Sequence, residues 1–358
     1  MSARPLRVGV IGVGWAGQQH LKAYAKVPGV EIAALAGLEE DVRAELAGEF
    51  GIAHSLTRWE DLLELDGLDA VSIAVPTFLH APIAIAALGR GLHVLAEKPL
   101  ARSAAEGETM VQAARDAGRV LEVVFSHRRR GAIQALRELI DAGRLGTPYY
   151  AKGWWMRRTG IPTLGSWFTQ AELAGGGPLM DIGIHVLDYA LYLLGNPEVT
   201  AVSASTYDLL GTAGFGSSPT SLKTGGNGAK TFDVEDLGTV FMRLADGGTL
   251  LLEASWAAHR MDADEFGITL FGTHGGAHLS VVDYTPTGDL QVFGDEDGAA
   301  VITPMTVKPG GGHDAVVADF VETIRSGEWA GHDGTAAVAL HGHASPARRI
   351  SRRSAADR

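Results

Sequence analysis

Three glycines near the start of the chain narrow its possible folds more than any other pattern in it. They form Gly12-x-Gly14-x-x-Gly17, between the apolar run of residues 6–11 and a helical stretch. The first glycine permits a tight turn, the second lets a ligand approach the backbone, and the third lets the helix pack on the strand. The helix start would offer N–H groups to phosphates. This context predicts a dinucleotide-binding turn, although the glycines alone would also fit a turn without a ligand.

The rest of the first third alternates between strand-like and helix-like patterns. Short apolar runs stand at residues 30–36, 70–75, 92–96 and 120–125, with helical stretches between them. Such alternation predicts parallel βαβ units with right-handed crossovers. We therefore predict a doubly wound parallel sheet of the Rossmann type over residues 1–126.

After residue 126 the pattern changes. Predicted strands follow one another at residues 149–156, 199–207, 237–244, 249–256, 267–271 and 277–282. Consecutive strands indicate a separate α+β domain, with a large mixed or antiparallel sheet and helices on one face. We assign it residues 127–344, with a polar loop or lid at 211–230. Residues 345–358 are rich in Arg and Ser, and we expect an exposed tail there.

Composition excludes several classes of function. The 358 residues contain no cysteine, so disulfides, thiolate metal sites and a cysteine nucleophile are ruled out. The formal net charge of −12 disfavours nucleic acid as a partner. No apolar run reaches the roughly 18–20 residues that span a bilayer, so we expect no membrane partner. These features predict a soluble, cytoplasmic protein.

The end of the second predicted strand leaves two cofactors open. An acidic residue usually binds the ribose about 20 positions beyond the glycine turn, but Gly37 and Leu38 stand here and Glu39 follows. A 2′-phosphate meets no carboxylate at position 37, and no Arg or Lys directly follows to attract one. NAD and NADP therefore both fit. Glu39 is either a ribose ligand or an exposed acid of the next helix.

One lysine occupies a place where ligands bind in open α/β sheets. Lys98, in Glu97-Lys98-Pro99, comes just past the carboxyl end of a predicted buried strand. We predict that it acts beside the cofactor. The alternative is a surface lysine that pairs with Glu97.

Asp181 and His185 are four residues apart on a predicted apolar helix that follows a glycine-rich turn. This spacing puts both on one helix face. Burying an acid and a histidine among apolar neighbours is costly unless they are paired or functional. Acid–base catalysis, a structural ion pair and a metal pair are the alternatives. We expect no metal, because no convincing third ligand accompanies the two.

In combination, the glycine turn, Glu97-Lys98-Pro99 and Asp181-x-x-x-His185 resemble the Gfo/Idh/MocA family, the glucose–fructose oxidoreductase and inositol dehydrogenase type. Their order and separation fit over the chain to about residue 340. Residues 234–256 and 272–277 are also similar to that family's C-terminal sheet. Singly, none of these motifs is specific.

The resemblance implies an NAD(P)-dependent oxidoreductase that acts on a hydroxyl of a sugar, sugar derivative or cyclitol. Lys98 would polarise the reacting oxygen, His185 would be the general acid/base, and Asp181 would hold substrate or assist the proton transfer. It also implies a homodimer or homotetramer formed through the C-terminal sheet.

The glycine turn and the resemblance together imply a set of cofactor-binding residues: Gly12, Gly14, Trp15, Ala16, Gly17, Gly37, Leu38, Pro76, Thr77, His80, Glu97 and Lys98. The implied substrate-binding residues are Lys98, His127, Trp154, Arg157, Arg158, Trp167, Asp181 and His185, with Trp155 and Phe168 in the same region.

Two other functions use the same motifs. A tightly held NAD that oxidises a sugar transiently would make a glycosidase or lyase with no net redox change. A nucleotide-binding regulator would need no catalysis, since fold does not imply function. The sequence also departs from the family at Gly37, where many relatives carry Asp, and after residue 341, where a terminal amphipathic helix is absent.

Overall fold

The computed structural model describes residues 4–216, 232–327 and 350–353. These divide into two compact units. The first takes in the chain up to Ser126 and resumes at Gly311, and the second begins at His127. The chain first passes from one unit to the other between Ser126 and His127.

The first unit is built on a parallel sheet of six strands in the described residues, in the order β3-β2-β1-β4-β5-β6. Its strands are β1 (Leu6–Ile11), β2 (Val30–Ala36), β3 (His54–Leu56), β4 (Ala70–Ile73), β5 (His93–Ala96) and β6 (Leu121–Val123). Its helices are α1 (Trp15–Tyr24), α2 (Glu40–Phe50), α3 (Trp59–Leu63), α4 (His80–Gly89) and α5 (Ala104–Ala117). The predicted doubly wound sheet is confirmed. The short β3 and α3 were not predicted, because three and five residues show no clear period.

Local signals explain where one of these helices begins and ends. The Ser103 side chain accepts a hydrogen bond from the Glu106 N–H and caps α5. Gly118, with φ of 56°, ends the same helix in the left-handed conformation. Central strands are buried along their whole length, as β4 and β5 show, which is typical of a parallel sheet covered on both faces.

A late helix belongs to the first unit rather than to the second. This helix, α9 (Gly312–Ser326), packs on α1. Its Val317 and Phe320 lie in the same apolar core as Leu21 and Tyr24 of α1. The predicted second domain (127–344) therefore included a helix that packs elsewhere, because sequence order does not show which core an apolar stripe will enter.

The second unit contains a mixed sheet of nine strands in the described residues, in the order β14-β13-β12-β11-β7-β10-β9-β8-β15. Its strands are β7 (Pro148–Arg157), β8 (Val199–Tyr207), β9 (Leu237–Leu244), β10 (Thr249–Ser255), β11 (Asp264–Gly272), β12 (Gly276–Val282), β13 (Asp289–Glu296), β14 (Ala299–Met305) and β15 (Ile350–Arg353). Its helices are α6 (Gly131–Asp141), α7 (Ala171–Ala174) and α8 (Ile184–Leu193). The pairs β7–β10 and β8–β15 are parallel, and the other neighbours are antiparallel.

The two faces of this sheet differ. The row Ile268, Gly153, Leu252 and Val240 is paired across four strands and fully buried. α8 packs on this face, where a side chain on Gly153 would meet Val186 at 2.5 Å. The next residues along each strand point to the opposite face. We call that face, which carries Tyr150, Trp154, Phe241, Leu251 and Phe271, the open face.

The second half of the chain contains strands that the sequence did not predict. Strands β13 and β14 were missed because their residues are largely polar or exposed, without a buried alternation. The predicted tail (345–358) contains the strand β15, paired with β8. The predicted lid (211–230) falls mostly outside the described residues. No helix in the described ranges is both long and apolar enough to cross a membrane.

Candidate active site

The carboxyl ends of three neighbouring strands bring the predicted cofactor residues of the first unit to one edge. β1 leads into the glycine turn, β4 into Pro76 and Thr77, and β5 into Glu97. Backbone hydrogen bonds continue past the strands, from Ala74 N to Ile11 O at 2.8 Å and from Glu97 N to Ile73 O at 2.9 Å. These bonds hold the loops in register where an open α/β sheet binds its ligand.

The three glycines of the turn differ in what a side chain at each position would meet. Gly12 has φ of 111°, and a side chain there would lie 2.0 Å from the Ala74 carbonyl oxygen. A side chain on Gly17 would lie 2.0 Å from the Gly12 oxygen. A side chain on Gly14 would meet nothing within 4 Å in the described structure. The protein's own packing thus requires Gly12 and Gly17, whereas Gly14 leaves open space beside the backbone.

The start of α1 has the properties of an anion site. Gly14 is its N-cap and supplies no side-chain cap, so the first N–H groups of the helix, from Trp15 onward, retain donor capacity. The partial positive charge of the helix start favours a phosphate. The residues therefore fit the pyrophosphate of a dinucleotide.

The missing acid at position 37 has a packing explanation. A side chain on Gly37 would lie 2.6 Å from Val13 Cγ1, so an aspartate would require Val13 to move. The Gly37 carbonyl accepts a hydrogen bond from Arg43 Nη1 at 2.5 Å, and Arg43 Nε donates to Ser55 Oγ at 3.1 Å. Sequence reasoning missed Arg43 because it does not directly follow the strand but lies in the first turn of α2. Leu38 is 79% exposed.

His80 is buried between two loops of this edge. Its Nδ1 lies 2.9 Å from Pro99 O, and its Nε2 lies 2.9 Å from Val75 O. Burial lowers the pKa of His80, and its contacts with the two carbonyl groups offset only part of that shift. His80 therefore joins the loop after β4 to the loop after Glu97. That it contacts the cofactor stays a prediction.

Glu97 and Lys98 follow β5 directly. Glu97 is buried, and its Oε2 accepts a hydrogen bond from the Lys98 N–H at 3.2 Å. Lys98 itself is half-buried. An ammonium group at this strand end can donate to the oxygen of a bound substrate.

In the second unit, Asp181 and His185 lie on one continuous helix. Its first turn, Leu179–Gly183, is π-helical and carries Asp181, and α8 carries His185. The Glu235 carboxylate accepts from the backbone N–H groups of Gly177 and Leu179, at 2.9 and 3.1 Å. Glu235 thus caps the helix, as a carboxylate at a helix start should. A π-turn inside a helix is frequently found at functional sites.

His185 lies in a buried aromatic cluster. Its ring centroid is 4.6 Å from that of His127 and 5.8 Å from that of Trp155. The His127 ring also packs 5.0 Å from Phe266. His185 is only 6% exposed. An imidazole held this way is screened from bulk water and can exchange a proton with a bound hydroxyl.

A buried ion pair fixes the backbone next to His127. The Arg128 guanidinium binds both oxygens of Asp188, one of them from Nε at 3.1 Å. Asp188 lies one helical turn after His185 and is 4% exposed. Both partners lie close to His127 and His185, so this ion pair orients the two histidines relative to each other. Sequence reasoning did not identify Asp188.

A polar network surrounds Asp181. Trp256 Nε1 donates to Asp181 Oδ2 at 2.9 Å. Arg157 Nε donates to Asp264 Oδ2 at 2.8 Å, and its Nη2 binds the Tyr284 hydroxyl. Tyr284 is 48% exposed, but desolvation by the side chains around it raises its pKa to about 12, although Arg157 opposes the shift. The hydroxyl is therefore a neutral donor at neutral pH.

Tyr284 was not predicted from the sequence. It and Asp283 have φ of 57° and 48°, in the left-handed region that bulky residues rarely adopt. The Tyr284 ring contacts Trp155 and Phe266, with centroids 5.6 and 5.7 Å apart. Such strained residues concentrate at functional sites. Aspartate tolerates this conformation but tyrosine rarely adopts it, so no residue pattern signals it at position 284.

The structure brings together only part of the predicted substrate set. Arg157 joins the network around Asp181, and His127 joins His185. Trp154 lies on the open face, where it stacks on His278 at 5.5 Å. Trp155, which points to the α8 face, is the tryptophan beside His185.

Trp154 therefore points away from this cluster, because alternate residues of a strand point to opposite faces. That it contacts substrate stays a prediction. Two other predicted residues have no described contact that draws them to the cluster. Arg158 is exposed beyond the end of β7. The Trp167 ring stacks on Phe168 at 3.8 Å. That these two contact substrate stays a prediction.

Models of known protein families match two separate stretches of the chain. Residues 6–125 match the model of the GFO/IDH/MocA oxidoreductase family with an NAD-binding Rossmann fold. Residues 133–278 match the GFO/IDH/MocA C-terminal domain.

The matched relatives include two named sugar dehydrogenases. D-glucoside 3-dehydrogenase of Escherichia coli is 35% identical over 285 residues, 78% of this chain and 78% of that protein. Levoglucosan dehydrogenase of Pseudarthrobacter phenanthrenivorans is 33% identical over 334 residues, 86% of this chain and 81% of that protein. A solved levoglucosan dehydrogenase, in complex with NADH and levoglucosan, superposes with a TM-score of 0.76 at 27% identity. The alignment covers 94% of this chain and 96% of that one.

Proposed function

The chain belongs to the Gfo/Idh/MocA family of oxidoreductases, and from this premise we propose that it is an NAD-dependent dehydrogenase of a pyranose-type sugar or cyclitol. It would transfer a hydride between a ring carbon that bears a hydroxyl and the nicotinamide. The observation that carries the proposal is that one helix carries both Asp181 and His185. The same chain has a glycine turn with open space beside Gly14. The similarity to sugar dehydrogenases supports the proposal.

The proposed residue roles follow from their chemistry. Lys98 would donate a hydrogen bond to the reacting oxygen and stabilise negative charge on it. His185 would take the hydroxyl proton during oxidation and return it during reduction. Asp181, fixed by Trp256, would accept a hydrogen bond from a substrate hydroxyl. The aromatic rings of Trp155 and Phe266 suit the apolar face of a sugar ring.

The residues of the first unit fit a dinucleotide. The glycine turn would hold the pyrophosphate, and the loop from Pro76 to Thr77 together with Glu97 would line the nicotinamide side. The nicotinamide, when bound, accepts or supplies the hydride.

We propose NAD rather than NADP. Arg43 already binds the Gly37 carbonyl and Ser55, and Glu39, Glu40 and Asp41 stand at the start of α2. Like charges repel a 2′-phosphate. Calorimetric titration should give a Kd for NAD at least roughly tenfold lower than for NADP, a difference of about 1.4 kcal/mol. Equal or tighter binding of NADP would contradict this assignment.

A substrate panel tests the function itself. Purified protein is mixed with NAD and with D-glucosides, levoglucosan or inositols, and absorbance at 340 nm reports NADH. Steady NADH formation with at least one of these compounds is expected. A protein that binds NAD but forms no NADH with any of them, and reduces none of the corresponding ketones with NADH, would contradict the proposal.

We also propose that the open face forms an interface between copies of the chain. It carries Phe241 and Phe271, which are 43% and 37% exposed, and Tyr150 stacked on Phe271. Exposed aromatic patches of this kind mark interaction sites. Light scattering should show a dimer or tetramer that Phe241→Glu dissociates, whereas Met261→Glu, at an 89% exposed position outside the sheet, should not change the mass.

A further inference from the structure

Three side chains from distant parts of the first unit meet at Glu97. His20 lies on α1, Glu97 directly follows β5, and His313 lies in the first turn of α9. The Glu97 Oε1 atom is 3.0 Å from His20 Nε2 and 3.5 Å from His313 Nε2. His20 is fully buried, and the His313 and Glu97 side chains are 17% and 11% exposed. None of the proposed catalytic steps uses either histidine.

The two histidines control the charge and the orientation of Glu97. Burial would favour the neutral acid, but the His20 hydrogen bond and the His313 ring, with its Nε2 at 3.5 Å, outweigh it and hold the pKa of Glu97 well below its ordinary value. Oε1 is hydrogen-bonded to His20 and lies 3.5 Å from His313 Nε2, and Oε2 accepts the Lys98 N–H at 3.2 Å. The backbone at Lys98 is therefore oriented by a carboxylate whose own position depends on α1 and α9.

A metal ion would be the other use of this cluster, since its ligand atoms lie within 4.8 Å of one another. Metal-bound histidines almost always donate their second ring N–H to a neighbour. His20 Nδ1 has no hydrogen-bond partner among the described residues. The His20 to Glu97 distance is also that of an ordinary hydrogen bond. The geometry therefore favours a carboxylate that is hydrogen-bonded by His20 and flanked by His313.

We propose that His313 is a positioning residue that acts through Glu97 to place Lys98 for catalysis. This inference rests on the proposed role of Lys98. It gives α9, more than two hundred residues further along the chain, a part in the catalytic step. A shift of about 1 Å in a reacting group can cost up to about a hundredfold in rate, so removal of one support of Glu97 should be visible in kcat.

A nearby ion pair provides a matched control. Lys26 and Asp314 join the same two helices by a bond of 2.6 Å, but both side chains are largely exposed and neither touches Glu97. Asp314→Asn therefore weakens the contact between α1 and α9 and leaves the Glu97 cluster intact.

The experiment compares His313→Ala, His313→Gln, Asp314→Asn and Lys98→Met for kcat, for KM, for NAD affinity and for Tm. We expect His313→Ala to lower kcat roughly 10- to 100-fold, with the KM for sugar and the Kd for NAD changed less than about threefold, below 0.7 kcal/mol. His313→Gln should restore most of kcat, because its amide N–H can donate to Glu97 but cannot replace the ring contact of His313 with Trp15. Asp314→Asn should behave as wild type.

Four results would overturn the inference. One is wild-type kcat in His313→Ala while Lys98→Met is inactive, which would leave the proposed function standing. The second is wild-type kcat in Lys98→Met, which would remove the proposed function as well. The third is a loss of kcat in His313→Ala that His313→Gln does not restore and that is accompanied by a lower Tm and weaker NAD binding. The fourth is a loss of kcat in EDTA that added Zn²⁺ restores, which would assign the cluster to a metal.

Discussion

At the scale of single residues, orientation decides which of the predicted site residues can act together. Trp154 and Trp155 are adjacent in sequence, yet one stacks on His278 at the open face and the other lies beside His185 under α8. The cluster around His185 also contains Tyr284, which no sequence pattern indicated. The chemistry assigned to this site therefore depends on side chains that the strand register brings to one face.

Substitution of His185 tests the proton-transfer step. His185→Asn should lower kcat by roughly 10²–10⁴, the usual contribution of a general acid/base, because asparagine can hydrogen-bond but cannot carry the proton. NAD affinity, measured by calorimetry, should change little.

His278→Asn is the matched control, since that histidine lies on the open face of the same sheet. Its kcat should stay within a few-fold of wild type. Equal losses in both variants would mean that the effect reports the fold of the sheet and not catalysis.

At the scale of elements, the glycine turn separates what the fold needs from what a ligand needs. Gly12→Ala would place a side chain against the Ala74 carbonyl at a positive φ, so we expect a loss of about 2–4 kcal/mol in the free energy of unfolding from strain and overpacking. Gly14→Ala meets no protein atom and has φ of −68°. It should keep the wild-type stability and weaken NAD binding.

Urea unfolding and NAD titration of the two variants check this contrast. Gly48→Ala, at an exposed position in the last turn of α2 with nothing near the added methyl group, is the control and should be neutral or slightly stabilising. Unchanged NAD affinity in Gly14→Ala would show that the open space beside Gly14 is not occupied by the nucleotide.

The pairing of β5 with the segment leading into β6 predicts a pH dependence of stability. The Val120 N–H donates to His93 Nδ1 at 3.1 Å, which requires a neutral ring. Burial, aided by Arg119, lowers the pKa of His93 to about 4. Between about pH 6.5 and 4 the unfolded chain binds a proton that the folded chain does not, so stability falls as pH falls, by at most about 1.4 kcal/mol per pH unit.

Urea unfolding at pH 7 and pH 5 should show this loss. His93→Asn should reduce the difference between the two pH values, while His54→Asn, at an exposed position on β3, should leave it unchanged. An identical pH dependence in wild type and His93→Asn would show that another group is responsible.

The sequence predicted those elements whose own residues carry a local signal. The strands β1, β2, β4, β5 and the glycine turn could be predicted, because burial on both faces and a required positive φ leave marks in the residues themselves. Residue pattern could not indicate β13 and β14, whose exposed residues show no alternation. The left-handed pair Asp283-Tyr284 and the Glu235 cap could not be predicted, because each depends on residues far along the chain.

At the scale of the whole molecule, two compact units divide the chemistry between them. The first carries the features that fit a nucleotide, and the second carries the buried His185 and the half-buried Asp181 that fit a polyhydroxylated substrate. The return of α9 to the first unit, by packing Phe320 with Leu21 and Tyr24, shows that chain order and unit membership differ. This division is consistent with the match of residues 6–125 and 133–278 to two separate domains of one oxidoreductase family.

The most direct test of the proposed function follows a deuterium atom. A D-glucoside, levoglucosan or an inositol is prepared with deuterium on its ring carbons and incubated with the enzyme and NAD, and the nucleotide and the sugar product are analysed by mass spectrometry. Transfer of a single deuterium to the nucleotide, with a keto sugar formed in equal amount, is the predicted result. Deuterium that returns to the sugar product with no accumulation of reduced nucleotide would contradict a dehydrogenase and assign the chain to transient oxidation without net redox change.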